Sequence, residues 1–171
     1  GEMRASSVPA DAVTYNSAIC AWRKGHAWQE ALALLGDMEA RGLQASAVTF
    51  NAVIGACGRG QQWPLALHML RSMRFGGCSP NLIVYNSCVA IFEQAGAWTA
   101  ALALLAEMQG GGVEPDTVSF NAAIGCCGAQ WTLAVELLRE MARRGLRPSA
   151  LSYDGATRAA LRASAAPSAV A

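Results

Sequence analysis

The chain has 171 residues, 53% of them hydrophobic and 15% charged, with 13 basic against 12 acidic side chains. That is room for one ordinary domain with a sizeable core, and it excludes a chain disordered throughout. No run of eighteen apolar residues offers a membrane span, and a net charge of +1 neither demands nor forbids a polyanionic partner.

The opening Gly1-Glu2-Met3-Arg4 has no apolar stretch behind it and is not a signal peptide. A chain that starts without Met just ahead of a repeat reads as a fragment or a processed form. Residues 1–11 are then the end of a preceding repeat or an N-terminal extension. Val13-Thr14-Tyr15-Asn16 opens the first repeat. It returns as Val48-Thr49-Phe50-Asn51, Ile83-Val84-Tyr85-Asn86 and Val118-Ser119-Phe120-Asn121, at intervals of 35 residues. Leu151-Ser152-Tyr153-Asp154 echoes it 33 residues later. A second anchor, Trp28, Trp63, Trp98 and Trp131, recurs at 35, 35 and 33. The fourth repeat is therefore two residues short, and the loss falls between its anchors, near Gly128.

Each repeat predicts two helices. Tyr15, Ala18, Ile19 and Trp22 make an i, i+3, i+4, i+7 stripe for the first. Ile54, Val89 and Ile124 repeat its β-branched column. Cys20, Gly55, Ala90 and Gly125 form a column of small residues, as close helix contact would need, and a larger side chain at Gly55 or Gly125 is expected to clash. Gly25, Gly60 and Gly96 break the chain between helices. The second helix carries Ala31, Leu34, Leu35 and Met38 on one face, with the same pattern at Ala66–Met73, Ala101–Met108 and Ala134–Met141. A methionine column at this spacing is core filling. Gly42, Gly77, Gly112 and Gly145 end the second helices, and Pro80, Pro115 and Pro148 forbid continuation. Pro64 falls in a first turn, where a missing N–H costs little.

Repeats one to four thus span 12–46, 47–81, 82–116 and 117–149. Residues 150–162 make a partial fifth repeat or capping helix, and 163–171 a disordered tail. A lone helical hairpin cannot bury both faces, whereas stacked hairpins can, so the fold class is all-α: an α-solenoid of eight full helices and a partial ninth, without a sheet.

The six cysteines contain no C-x-x-C pair, and His26 and His68 fall at no zinc-finger spacing. They read as small packing residues in a reducing compartment. There is no H-x-E with a following C-x-x-C and no carboxylate cluster suited to metal-assisted hydrolysis, so the chain reads as non-catalytic, with no cofactor, metal or small-molecule substrate. Arg139, Arg143, Arg144 and Arg147 read as a solvated helix end. Twelve of the 13 basic residues are Arg, which can stack on a base or fork onto a phosphate, although coding bias gives the same skew.

The period of 35, the V-T-Y-N opening, the A-L-x-L-L-x-x-M second helix and the G-x-x-P close resemble the pentatricopeptide repeat family over about residues 11–162. Repeat one departs from it in having Ala45 in place of the proline. The resemblance implies a right-handed superhelix that binds single-stranded RNA, one base per repeat, in mitochondria or chloroplasts. It assigns base reading to Asn16, Asn51, Asn86 and Asn121 together with the last residue of each repeat: Ser46, Asn81, Asp116 and Ser149. Val13, Val48, Ile83 and Val118 would sandwich the bases, and Lys24 and Arg59 would meet phosphate. Repeat three has Gln94 there, and repeat four has no basic residue.

An Asn amide carries one acceptor and two donors, enough to pair with the edge of an unstacked base. An Asn near a helix start is also a common cap, and taken alone the four Asn fit that role better; the polar residues at each repeat end turn the reading toward RNA. The resemblance further implies a 5′-to-3′ preference of pyrimidine, pyrimidine, uracil, pyrimidine. A protein-binding solenoid is the alternative, but its groove would vary at the reading places. Protein partners or an effector domain would lie outside this stretch.

Overall fold

The computed structural model describes residues 11–22 and 27–165. Lys24 and Gly25 therefore lie outside the described residues. The described chain is helical, with α1 (Ala12–Trp22), α2 (Trp28–Ala40), α3 (Ala47–Arg59), α4 (Trp63–Phe75), α5 (Leu82–Ala95), α6 (Trp98–Gly110), α7 (Thr117–Cys126), α8 (Trp131–Arg143) and α9 (Ala150–Ala165). No strand occurs among the described residues, and no helix there is long and apolar enough to cross a membrane. Helix α9 runs three residues beyond the expected end at Arg162.

The chain divides into two compact units, 1–87 and 88–171, with the division inside α5. In the first, α1 packs on α2 and α3, α2 on α3, and α3 on α4. Tyr15, Ile19, Leu35, Met38, Phe50, Ile54, Leu70 and Met73 are buried between them. In the second, α7 packs on α6, α8 and α9, and α8 on α9, around Phe120, Ile124, Leu137 and Met141. The β-branched column and the methionine column are both core, with Met38, Met73, Met108 and Met141 at 0% exposure. Truncating one such side chain to Ala costs about 2–5 kcal/mol, because the cavity closes only in part.

The second helices end in one repeated device. Gly42, Gly77, Gly112 and Gly145 take φ between +72° and +76°, a region that costs a residue with a Cβ. The next N–H then turns back onto the methionine carbonyl: Leu43 to Met38 at 3.1 Å, Cys78 to Met73 at 3.0 Å, Val113 to Met108 and Leu146 to Met141 at 2.9 Å. This closes carbonyls that the helix leaves open.

One expectation about the helix breaks gains detail, and two others need correction. Gly60 ends α3 as expected, with φ −75°, and the left-handed residue after it is Gln61 (φ 55°). Gly60 is small because Trp28 lies against it; a Cβ there would come within 2.2 Å of the indole Cδ1. At Gly125 a Cβ would meet the Glu93 carboxylate at 2.1 Å rather than a neighbouring backbone, so a flexible side chain, not a close helix contact, occupies that space. Cys20 is exposed and Cys78 half-buried, so only Cys57, Cys88, Cys126 and Cys127 are packing residues. Burial pushes the thiols of Cys57 and Cys127 up to about 11 and that of Cys126 to about 12.

The two-residue loss in the fourth repeat comes out of the last turn of its first helix. Helix α7 has 10 residues where α3 has 13 and α5 has 14.

Candidate nucleic-acid interface

The first helix of each repeat starts in the same way. Ser46 and Asp116 are N-caps, accepting the backbone N–H of Thr49 (3.3 Å) and Ser119 (2.9 Å). Asn81 accepts from Val84 N–H at 3.1 Å, and Asp11 from Thr14 N–H at 2.9 Å. Those bonds, from the backbone and the hydroxyl of Thr14, hold the Asp11 carboxyl below the usual range. Capping therefore belongs to the last residue of the preceding repeat. Asn16, Asn51, Asn86 and Asn121 lie a turn further into their helices, half-buried, and the capping explanation for them falls away.

One turn before each Asn, on the same face, stands an exposed β-branched residue. Val13, Val48, Ile83 and Val118 are 68%, 64%, 65% and 57% exposed, which is unusual for such side chains at four equivalent places. Between them the chain turns inward, with Thr49 and Phe50, Val84 and Tyr85, and Ser119 and Phe120 buried. Leu151, 69% exposed, occupies the same place on α9 and was missed because its repeat is incomplete.

The Asn side chains are held by buried hydroxyls. Thr49 donates its hydroxyl to Asn16 Oδ1 while its own oxygen accepts the Ser46 backbone N–H at 3.0 Å. On the other unit Ser152 donates to Asn121 Oδ1 at 2.5 Å and accepts Ser149 N–H at 2.9 Å. Asn121 Nδ2 also donates to Ser149 Oγ at 3.3 Å, so this expected reading pair is in direct contact. Asn51 differs: its Oδ1 is buried with no hydrogen-bond partner. The residues at the third helical place (Thr49, Val84, Ser119, Ser152) were not singled out from sequence. Their signal is the second letter of the V-T-Y-N motif.

Cations are sparse. Arg59, at the end of α3, is exposed. At the end of α5, Gln94 is exposed, and beside it the Glu93 carboxyl is pushed up by desolvation, with Arg158 pulling the other way. In α7 the turn that would carry the equivalent residue is missing. Of the arginine cluster, Arg143 and Arg144 pair with Glu140 at 2.6 and 2.7 Å, and Arg144 lies over the Phe120 ring. No group of His, Cys, Asp and Glu among the described residues is arranged to hold a metal ion.

This is an array of helical hairpins whose first helices present one repeated set of polar and apolar side chains. A pentatricopeptide repeat domain model matches residues 1–60 and 33–95, and a model of the PPR repeat family matches 80–128. The chain belongs to the pentatricopeptide repeat family. Its helices match the solenoid of the pentatricopeptide repeat protein PPR10 from maize, with a TM-score of 0.75 and 32% identity over 92% of this chain. PPR10 in complex with an 18-nt psaJ RNA element matches with a TM-score of 0.76 and 25% identity over 90% of this chain. The PPR domain of Arabidopsis thaliana protein-only RNase P 1, solved with tRNA, matches with a TM-score of 0.75 over 90% of this chain and 82% of that domain. At 17% identity that likeness speaks to the fold alone. This chain spans 23% of the PPR10 chains it matches. No curated protein matches it in sequence.

Proposed function

We propose that this chain binds single-stranded RNA with one base per repeat, as a binding module in organellar RNA processing or stability. The observation that carries the reading is the recurrence of an exposed β-branched side chain one turn before a half-buried Asn, at four places 35 residues apart. An apolar branched face holds a base without reading it, and the amide beside it supplies hydrogen bonds to the edge. PPR10, similar in fold and sequence, has been solved on an RNA element, which supports the same ligand class here. The uniform Asn column disfavours a protein-binding groove.

Asn16 with Ser46, Asn51 with Asn81, Asn86 with Asp116 and Asn121 with Ser149 read the four bases as pyrimidine, pyrimidine, uracil, pyrimidine, 5′ to 3′. Asp116 favours uracil because it accepts the ring N–H, whereas the cytosine ring nitrogen is itself an acceptor. Four stacked bases contribute about 1–3 kcal/mol each, and ordering the strand takes back several kcal/mol. The expected Kd is on the order of micromolar or weaker. Arg59 is the one expected phosphate contact among the described residues, so the salt dependence is shallow.

The test is Asp116→Asn, measured on oligomers that differ only at the third base. Asn keeps an acceptor for the Ser119 backbone N–H, so the helix start survives. Relaxation from uracil toward cytosine is expected. An unchanged preference, or a purine-rich optimum in the parent chain, refutes the assignment.

A further inference from the structure

An Asn amide can present its oxygen or its nitrogen to a base, and the two choices ask for opposite partners. Something must fix the choice, and the helix-start hydrogen bonds do so. The Thr49 hydroxyl accepts the Ser46 backbone N–H at 3.0 Å, has Ser46 Oγ beside it at 3.0 Å, and donates its proton to Asn16. Of the two ends of that amide, only Oδ1 can accept it. With Oδ1 held by Thr49, Nδ2 is the end of the Asn16 amide left for a base. The chain of bonds runs backbone N–H to hydroxyl, hydroxyl to amide oxygen, amide N–H to base, each bond polarising the next. Ser152 builds the same relay from Ser149 N–H (2.9 Å) to Asn121 Oδ1 (2.5 Å).

Repeat two has no relay. The residue 33 positions after Asn51, as Thr49 is after Asn16, is Val84, almost fully buried and without a hydroxyl. Asn81 still caps that helix through Val84 N–H, so the helix start is kept and only the relay is lost. The cost is visible in the one buried side-chain polar atom without a partner among the described residues, Asn51 Oδ1. The Asn51 amide therefore lacks the hydroxyl bond that holds the oxygens of Asn16 and Asn121.

We propose that the buried hydroxyl at the third helical place is a positioning residue that makes the Asn a dedicated donor. Thr49 serves the first base and Ser152 the fourth, while Val84 makes the second repeat the permissive reader. This rests on the RNA-reading function proposed above. It assigns selectivity to side chains that never touch the base.

The experiment compares wild type, Val84→Thr, Thr49→Val and Thr49→Ser on short RNAs carrying each of the four bases at the first or the second place. Thr is close to isosteric with Val, and in Val84→Thr the new hydroxyl has Asn81 N–H and Asn51 Oδ1 to satisfy it. The spread between best and worst base at the second place should widen about five- to tenfold in Val84→Thr, the worth of one hydrogen bond, with the other places unmoved. Thr49→Val should narrow the spread at the first place by a similar factor, and Thr49→Ser should restore it. An unchanged spread in both Val84→Thr and Thr49→Val overturns the proposal.

A second readout needs no RNA. The side-chain amide protons of Asn51 should exchange and reorient faster by NMR than those of Asn16 and Asn121, and slow to match them in Val84→Thr. Equal behaviour of all three in wild type overturns the positioning role. Loss of RNA binding by every variant and by wild type, with the amide pattern as expected, overturns the RNA reading and leaves the orienting relay standing.

Discussion

Asn121→Asp is the sharpest single test of which atom faces the base. In the native chain Oδ1 accepts from Ser152 Oγ at 2.5 Å and Nδ2 donates to Ser149 Oγ at 3.3 Å. Aspartate keeps the first bond unchanged. It replaces the nitrogen with an oxygen, and the Ser149 hydroxyl, which can donate as well as accept, rotates to meet it. Two hydroxyl donors to a half-buried carboxylate offset most of its desolvation, so stability should change by about 1 kcal/mol or less, a shift of ~2–4 °C in a chain of this size. Binding has no such compensation. A donor aimed at a pyrimidine carbonyl becomes a charged acceptor, losing one hydrogen bond and setting two acceptors against each other, about 2 kcal/mol together. Affinity for oligomers with a pyrimidine at the fourth place should fall roughly thirtyfold, and changes at the first three places should matter as before. Fluorescence anisotropy at low salt, with thermal melting as the control, reads both quantities. Native affinity with a native melting point would mean that Asn121 does not face a base, and would take the fourth reading position with it.

Other outcomes follow from the same geometry. Gly77→Ala, at φ +76°, should destabilise by about 1 kcal/mol in denaturant unfolding, whereas Gly36→Ala, inside α2 with open space around it, should stabilise by about 0.5–1 kcal/mol. Under iodoacetamide at pH 8 the native protein should take two adducts quickly, at Cys20 and Cys78, by mass spectrometry; the other four thiols are buried, and those of Cys57, Cys126 and Cys127 are further held protonated by desolvation. Rapid labelling of Cys126 would show that its packing opens. Ser46→Ala should lose the cap of α3 and about 1 kcal/mol of stability along with any effect on the first base, while Ser46→Asp should keep the stability and change only the base preference.

The hairpin array was legible because its signals are redundant. Two motifs share one period, and the glycine ending each second helix and the methionine four residues before it do the jobs their spacing implies. Single glycines were less legible. Gly60 is small for an indole that lies 32 residues away in sequence, and nothing local announces that approach. Cys20 looked like core because its column alternates with Gly and Ala, yet a small residue serves equally at an exposed place. The Asn column was seen but its competitor, helix capping, could not be dismissed. Periodicity locates a residue on a helix only to within a turn, and a cap differs from the second turn by just that much. The relay hydroxyls escaped notice because Thr, Val and Ser at a buried place look like interchangeable small side chains until their bonds are traced.

The helix-start hydrogen bonds also decide which residues can stand at the end of a repeat. Asp11, Ser46, Asn81 and Asp116 each accept a backbone N–H of the helix that follows. An orphan N–H at a helix start is satisfied best by a short side chain with an oxygen one or two bonds from Cβ, which restricts the place to Ser, Thr, Asn and Asp. Those four also differ from one another in what they offer a base: Asp only accepts, Asn offers both an acceptor and donors, and Ser and Thr can do either. The demand for a cap therefore limits the alphabet at this place to residues that remain chemically distinguishable. A change within the set alters the base read and leaves the helix start intact. A change outside it harms folding before it can change recognition. Asn16 and Asn121, a turn later in their helices, are under a different constraint, since the partner of each oxygen is the relay hydroxyl and not the backbone. In the first repeat the cap and the Asn oxygen are thus held by separate hydrogen bonds, so the cap can change within its set without releasing the Asn.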